Sequence, residues 1–247
     1  MSVRREAANL LKSGLSPVDV AEKMGKSVYD LTRMLLLQVG EAELRWSDIF
    51  FRIPQSRRLK YEEVIKAHPG ESLFSWEQSC RARHLNAGEF YLYLLTKGSP
   101  QGDMYVYLRD LEISLHQLIR QALELAFRSH DDAWWNDGIP QAIRKDCAKL
   151  KEEDAQHLER YAYTTLTNLK DIIDSHWSEF VAVLPKGAAA DKKCLLRKFD
   201  RLIMIRNGVM HPIKPISITE GDFEFIRDFR SLMDASQWQL GGGNSMA

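Results

Sequence analysis

Cysteine and long apolar runs are both scarce in this chain of 247 residues. The three cysteines are widely spaced and never form a CxxC pair, a pattern that fits reduced thiols better than a disulfide framework or a zinc site. No apolar stretch approaches the ~18 residues that a membrane-spanning helix needs, and the N-terminus lacks the apolar segment of a signal peptide. These absences predict a cytoplasmic protein that makes no membrane contact.

An excess of one charge sign is also absent, because 34 Lys and Arg are balanced by 34 Asp and Glu. Any electrostatic footprint must therefore be local. No Walker A, GxGxxG or GxSxG pattern occurs, which argues against nucleotide-driven and acyl-transfer enzymes. Four histidines share no ligand-like spacing with a cysteine or carboxylate cluster: His116, His130, His157 and His176. The sequence thus predicts neither a metal nor another cofactor.

Helical periodicity dominates the sequence, whereas strict period-2 alternation occurs only over residues 44–53. We therefore predict an all-α protein. A chain of this length suits one or two domains, and the turn-rich residues 97–103 mark a boundary between two. We expect a helical domain over residues 104–238 and a flexible tail over residues 239–247.

The first 45 residues carry the signals of three short helices. Ser16 and Ser27 are the expected caps of the second and third helices, and Gly25 lies in the turn between them. The small Ala21 lies where the two helices cross, and Leu31 faces the core. This phasing resembles the bacterial helix-turn-helix family over about 25 residues.

The third helix of this module would be the recognition helix. Its predicted outward residues are Lys26, Tyr29, Asp30, Thr32 and Arg33. Lys26, Tyr29 and Arg33 are the candidate DNA contacts, and residues 1–60 hold 11 Lys or Arg against 7 Asp or Glu, a net of +4. An equally weighted alternative is that the module only packs against its neighbour or a partner protein.

Residues 46–103 are predicted only as a connecting region, whose role the sequence leaves open. Residues 44–53 fit either a short wing strand or another helix. Pro54 ends the element in both cases.

Apolar residues recur every three or four positions through the C-terminal part. The spacing predicts a mostly antiparallel bundle of five helices, over about residues 104–128, 139–153, 162–180, 191–210 and 222–233. Trp134 and Trp135 lie in the turn after the first of these helices. We expect their rings to pin that turn on the bundle.

The fourth of these helices carries a cation in its apolar stripe. Leu202, Arg206 and Val209 follow each other at steps of four and three, so Arg206 takes a place where another leucine is expected. An unpaired buried guanidinium costs on the order of several kcal/mol, so Arg206 needs a partner, an anionic ligand or a water-filled groove. Glu112 on the first helix is a candidate partner, although an ordinary solvated glutamate is the commoner case.

A basic segment surrounds Arg206. Residues 185–214 hold eight Lys or Arg against two Asp, a net of +6, which is a local phosphate-binding footprint in a neutral protein. Asn207 and His211 are four residues apart and share a helix face, and the proline that follows places His211 at a helix end. The candidate nucleic-acid contacts on this helix are Lys193, Arg197 and Arg201.

Residues 206–211 read RNGVMH, which matches the R-x(4–6)-H signature of the HEPN superfamily. As in that family, the motif falls near the end of the penultimate helix of a bundle. The loop at Trp134 and the helix from Tyr161 to Trp177 also resemble one HEPN branch, so the resemblance covers residues 104–236. One departure is the proline after the motif, where many toxin members carry an aromatic residue.

The HEPN resemblance implies a homodimer, in which two copies of the motif meet in one groove and form a metal-independent endoribonuclease site. RNA is then the substrate. Arg206 would neutralise the scissile phosphate, His211 would transfer protons during attack of the 2′-hydroxyl, and Asn207 would orient one of them.

Three hypotheses follow. The first is a homodimeric ribonuclease in toxin–antitoxin or antiphage defence, with an antitoxin or defence protein as a partner. The second is a helix-turn-helix DNA-binding regulator, whose HEPN-like bundle only dimerises or senses a ligand. The third is an adaptor for another nuclease. If Arg206 and His211 face an open basic groove, the first hypothesis is favoured.

Overall fold

The computed structural model describes residues 3–36, 44–70, 72–210 and 217–240. Every regular element in these ranges is a helix, which confirms the all-α prediction. The chain folds into two compact units, Met1–Asp103 and Met104–Ala247. Buried apolar side chains form two clusters in the first unit and one larger cluster in the second.

The first unit begins with the three short helices that the capping residues predict. Ser16 and Asp19 form a capping box at the start of the second helix, and Ser27 accepts a hydrogen bond from the Asp30 N–H (3.1 Å) at the start of the third. Leu31 is fully buried, as expected. The helices of this unit are α1 (Val3–Lys12), α2 (Pro17–Lys23), α3 (Val28–Leu36), α4 (Trp46–Arg52), α5 (Gln55–Ala67), α6 (Leu73–Ala82) and α7 (Ala87–Thr96).

Residues 46–103 do more than connect two domains. Residues 46–52 form helix α4 and not a wing strand, and this helix ends just before Pro54. Ile49 of α4 and Leu92 of α7 enter the same buried cluster as Leu31 of α3. The helices after residue 45 therefore complete the core that α1, α2 and α3 begin.

The turn between α6 and α7 repeats the turn between α2 and α3. Gly25 and His84 both have left-handed backbones, with φ of 62° and 55°. Each is followed two positions later by the residue that caps the next helix, Ser27 in one turn and Asn86 in the other. The first unit thus contains two helix pairs with the same connection. The sequence does not reveal the second pair, because a histidine stands where the first pair has glycine.

The two units divide after Asp103, at the end of the predicted boundary stretch, but residues 99–103 are helical and not part of a turn-rich linker. Helix α8 (Ser99–Ala126) begins at Ser99, directly after a turn at residues 97–98. Pro100 lies in its first turn, where a helix needs no backbone N–H, and the ring is buried. Gly102 lies inside the same long helix, so neither Pro100 nor Gly102 marks a helix end.

The second unit contains α8 and the helices that follow it. They are α9 (Ala133–Asn136), α10 (Gln141–Glu153), α11 (Leu166–Ser175), α12 (Trp177–Phe180), α13 (Lys186–Ala189), α14 (Lys192–Met210) and α15 (Glu220–Leu232). Trp134 and Trp135 lie in the short helix α9 and not in a turn, but Trp135 is buried and the ring of Trp134 packs edge-on against Tyr161, so the two rings hold this segment on the bundle.

Two predicted boundaries in the second unit differ from the structure. The expected helix over residues 162–180 is interrupted, because Thr165 forms a capping box with Asn168 and starts α11 afresh, and His176 ends it. The expected tail begins later than residue 239, because the Gln239 N–H donates to the Val183 carbonyl oxygen (2.8 Å). Residues 241–247 of that tail lie outside the described ranges.

Candidate functional site

Helix α14 carries most of the predicted site residues. Asp191 caps it by accepting a hydrogen bond from the Cys194 N–H (3.0 Å). Its buried face packs against α11 and α15 through the predicted apolar stripe, and the buried side chains are Leu195, Phe199, Leu202, Ile205 and Val209. This packing fixes the orientation of every other side chain on the helix.

Arg206 lies at the edge of the buried face of α14 near its C-terminal end, because Ile205 takes the buried place between Leu202 and Val209 that the sequence assigns to Arg206. Its Nε is 3.7 Å from the Glu112 Oε2 on α8, and the two side chains are 29% and 22% exposed. The Nε atom is buried, and no acceptor in the described part of the chain hydrogen-bonds to it. Glu112 is thus an ion-pair partner and not the solvated glutamate that the sequence favours.

The other two residues of the RNGVMH motif differ in what can be described. Asn207 is exposed, and its Oδ1 accepts a long hydrogen bond from the Arg206 Nη1 (3.5 Å). His211 lies outside the described residues. Arg206 and Asn207 are therefore neighbours on the surface, while the placement of His211 beside them stays a prediction.

The three predicted nucleic-acid contacts on α14 fall into two groups. Lys193 and Arg197 are exposed one turn apart, and the Arg197 Nε donates to a backbone oxygen of the same helix, that of Lys193 (3.3 Å). Arg201, in contrast, donates to the Gly221 carbonyl oxygen (3.1 Å) and to Asp222 (3.3 Å). The hydrogen-bond donors of Arg201 are therefore used within the bundle, whereas Lys193 and Arg197 extend into solvent.

Helix α3 presents fewer residues than the sequence predicts. Thr32, which is predicted to face outward, is only 1% exposed, because α7 packs over that side of α3. Tyr29 donates a hydrogen bond to Glu77 on α6 and lies beside the ring of Tyr91 on α7. Its partial burial, and secondarily Glu77, raise the pKa of its hydroxyl to about 12.

All three candidate DNA contacts at α3 are exposed, although Tyr29 (44% exposed) is already bonded to Glu77. Lys26 lies in the turn before the helix, and Arg33 lies on its outer face. The exposed Asp30 lies between them along the chain and carries the opposite charge. The accessible part of the predicted recognition surface is therefore small and of mixed charge.

His116 lies on the same helix as Glu112, and the sequence gives it no metal-ligand spacing. It follows Glu112 by one turn on α8, and its Nδ1 lies 3.2 Å from the Thr164 hydroxyl. Burial lowers the pKa of His116 to about 4, so the imidazole is neutral at pH 7. The spacing of four places Glu112 and His116 on one face of α8.

Comparison of the chain with models of known protein families, with curated proteins and with solved structures finds no match in any of the three. In the described residues, no group of three or more His, Cys, Asp or Glu side chains is arranged to hold a metal ion. None of the helices within those ranges is both long and apolar enough to cross a membrane.

Proposed function

We propose that this protein is a metal-independent endoribonuclease of the HEPN type, acting as a homodimer. The observation that carries the proposal is the outer edge of the Arg206 guanidinium: Glu112 faces Nε at 3.7 Å, while Nη1 makes only a long bond, to Asn207 (3.5 Å), among the described residues. A group in this state is suited to an anionic ligand, because guanidinium binds phosphate through paired N–H donors. The RNGVMH motif and the exposed Lys193 and Arg197 on the same helix support RNA as that ligand.

The proposed reaction is an internal transfer of the phosphodiester. The 2′-oxygen attacks the adjacent phosphorus, a P–O bond to this oxygen forms, and the P–O5′ bond breaks. The products are a 2′,3′-cyclic phosphate and a 5′-hydroxyl. His211 accepts the proton of the 2′-hydroxyl, and the same residue of the second copy donates a proton to the leaving O5′.

Arg206 and Asn207 have distinct roles in this proposal. Arg206 offsets the negative charge that develops on the phosphate oxygens in the transition state. Asn207 orients either Arg206 or His211 through its exposed amide. Antiphage defence or toxin–antitoxin activity is the biological setting that we propose, by analogy with the resembled superfamily.

Cleavage of mixed RNA in EDTA tests the proposal. We expect the purified protein to release cyclic phosphate ends, and Arg206→Ala and His211→Ala variants to lose at least about a hundredfold in rate. Arg109→Ala is the matched control, because Arg109 is exposed on α8 and pairs with the adjacent Asp110. An inert parent, or a parent and Arg206→Ala variant that cut equally, would contradict the proposal.

A second candidate is a DNA-binding regulator with a catalytically inactive bundle. The capped helices α2 and α3, with Lys26 and Arg33 exposed, favour it. Gel-shift assays with random duplex DNA test it, with Lys26→Ala and Arg33→Ala as variants. Binding of duplex DNA that these changes abolish, in a protein without ribonuclease activity, would favour this candidate.

A further inference from the structure

Arg206 differs from a second arginine of the same unit in how its charge is compensated. Arg120 on α8 donates from Nε to Glu124 (2.8 Å) and from Nη1 to Glu159 (2.7 Å). Arg206 has a carboxylate at 3.7 Å from Nε, beyond hydrogen-bond length. Its charge is therefore compensated, while its Nε–H donor is not used by any described residue.

The Arg206 guanidinium has an inner and an outer edge. The inner edge is Nε, which is buried and faces Glu112. At the outer edge, Nη1 donates the long bond to Asn207 (3.5 Å). Because a guanidinium has five donors in a fixed plane, a carboxylate can hold one edge while phosphate oxygens accept from the other.

We infer that Glu112 is a positioning residue for Arg206. This inference rests on the proposed function, since it assigns a role within the same site. Glu112 attracts the inner edge of the guanidinium and leaves the outer edge for a phosphodiester.

The proposed role of Glu112 resembles that of the carboxylates that orient metal-binding histidines without contacting the metal themselves. A carboxylate behind the ligand sets its orientation and increases its effect without touching the substrate. Because it is costly to bury the Arg206 charge without a partner, Glu112 stabilises that charge before RNA binds. Glu112 thus prepares Arg206 for an anion.

The first test follows the Nε–H of Arg206 by NMR, which needs no ribonuclease activity. The probes are inorganic phosphate and an RNA with 2′-O-methyl groups, which cannot be cleaved. We expect both to shift the Arg206 signal in the parent, and Glu112→Gln to reduce the shift by at least half. No shift in the parent, or an equal shift in the variant, would overturn the inference.

The second test is a kinetic comparison of Glu112 variants. We expect Glu112→Gln to lower kcat about tenfold with KM changed less than twofold, because Arg206 still binds but is poorly oriented. Glu112→Asp keeps the charge and should recover part of kcat. Glu124→Gln is the matched control, since it removes a carboxylate that serves Arg120 instead.

The two tests separate the inference from the proposed function. If RNA is not cut but phosphate shifts the Arg206 signal in a Glu112-dependent way, the ribonuclease proposal fails and the role of Glu112 stands. If the parent cuts RNA, Arg206→Ala does not, and Glu112→Gln equals the parent in kcat, the inference fails alone. A variant that loses thermal stability but keeps kcat shows a structural pair and also overturns it.

Discussion

Helices α3 and α14 each carry candidate nucleic-acid contacts, and they differ in how the surrounding helices use those residues. On α3, Tyr29 binds Glu77 and Thr32 is buried under α7. On α14, Lys193 and Arg197 extend into solvent, and the Nε–H of Arg206 is not used by any described residue. A basic or polar residue on a helix is therefore a candidate ligand only when its neighbours have not already engaged it.

The largest expected effect comes from the packing that covers α3. A Cβ at Gly88 of α7 would lie 3.0 Å from the Cβ of Val28 on α3, so we expect Gly88→Ala to lower the free energy of unfolding by ~1–3 kcal/mol. Chemical unfolding by urea measures it. Gly102→Ala is the control, because a Cβ there meets nothing within 4 Å and should add up to ~1 kcal/mol in a helix.

The sign of the change in unfolding free energy of Gly88→Ala decides whether α7 packs closely on α3. If α7 did not pack on α3, alanine would improve the propensity of α7 and stabilise the protein, as at Gly102. A stabilised Gly88→Ala variant would thus make α3 an open candidate surface for nucleic acid again.

Local chemistry made much of the fold predictable. The caps at Ser16 and Ser27 depend on residues within a few positions of each other, and both are found as expected. The apolar stripe of α14 is also found, except that Ile205 is buried in place of Arg206. The interruption of the helix over residues 162–180 was also predictable, because Thr165 and Asn168 have the spacing of a capping box.

The site residues whose surroundings were not predicted depend on long-range packing. Thr32 is buried by a helix more than fifty positions away, and Tyr29 is engaged by Glu77 on α6. Helical periodicity reports which residues share a face, and it contains no information about which face a distant helix covers. For the same reason the sequence could name Glu112 as a partner of Arg206 but could not choose between pairing and solvation.

The second expected effect compares the exposed basic residues of the two helices. Removing Lys193 and Arg197 together should weaken binding of 2′-O-methyl RNA on the order of tenfold at low salt, because each charge neutralises a phosphate. The slope of log K against log salt should fall by about 0.7 for each phosphate that the variant no longer neutralises. Filter binding over a salt series measures both quantities.

The matched pair for this experiment is Lys26→Ala with Arg33→Ala. We expect RNA affinity to change less than about twofold, since the two residues lie on a surface where Asp30 is also exposed. Equal reductions in affinity from the two double variants would show that both helices bind RNA and would remove the difference between them.

A third expected effect concerns the buried carboxyl of Glu89, which contacts two residues of helix α5 in the first unit. Glu89 on α7 is fully buried, accepts a hydrogen bond from the Tyr61 hydroxyl (2.9 Å) and lies 3.1 Å from the Arg57 Nε. Burial raises the pKa of Glu89 above its ordinary 4.5, although Arg57 opposes the shift. The folded protein therefore holds this proton to higher pH than the unfolded chain does.

The sign of the pH effect follows from that raised pKa. The contribution of Glu89 to stability is fully present below its unfolded pKa and is lost as pH rises through its folded pKa. Glu89→Gln cannot ionise, so the unfolding free energy of the parent minus that of the variant should decrease with rising pH. Urea unfolding at several pH values measures this slope, with the exposed Glu63→Gln as a control. A flat or rising difference would contradict the raised pKa.

The smallest expected effect lies within α14 itself. Arg201 donates to Gly221 and Asp222, and its guanidinium lies 4.4 Å from the centre of the Phe225 ring. Because these contacts use the charge and the donors, Arg201→Ala should change RNA affinity less than about twofold and cost ~0.5–1 kcal/mol of stability. Arg197→Ala, one turn away, should weaken RNA binding and leave the stability of the protein almost unchanged. If Arg201→Ala weakens RNA binding as much as Arg197→Ala does, Arg201 leaves its partners to bind RNA, and engagement in the free protein is not a sufficient criterion for excluding a ligand.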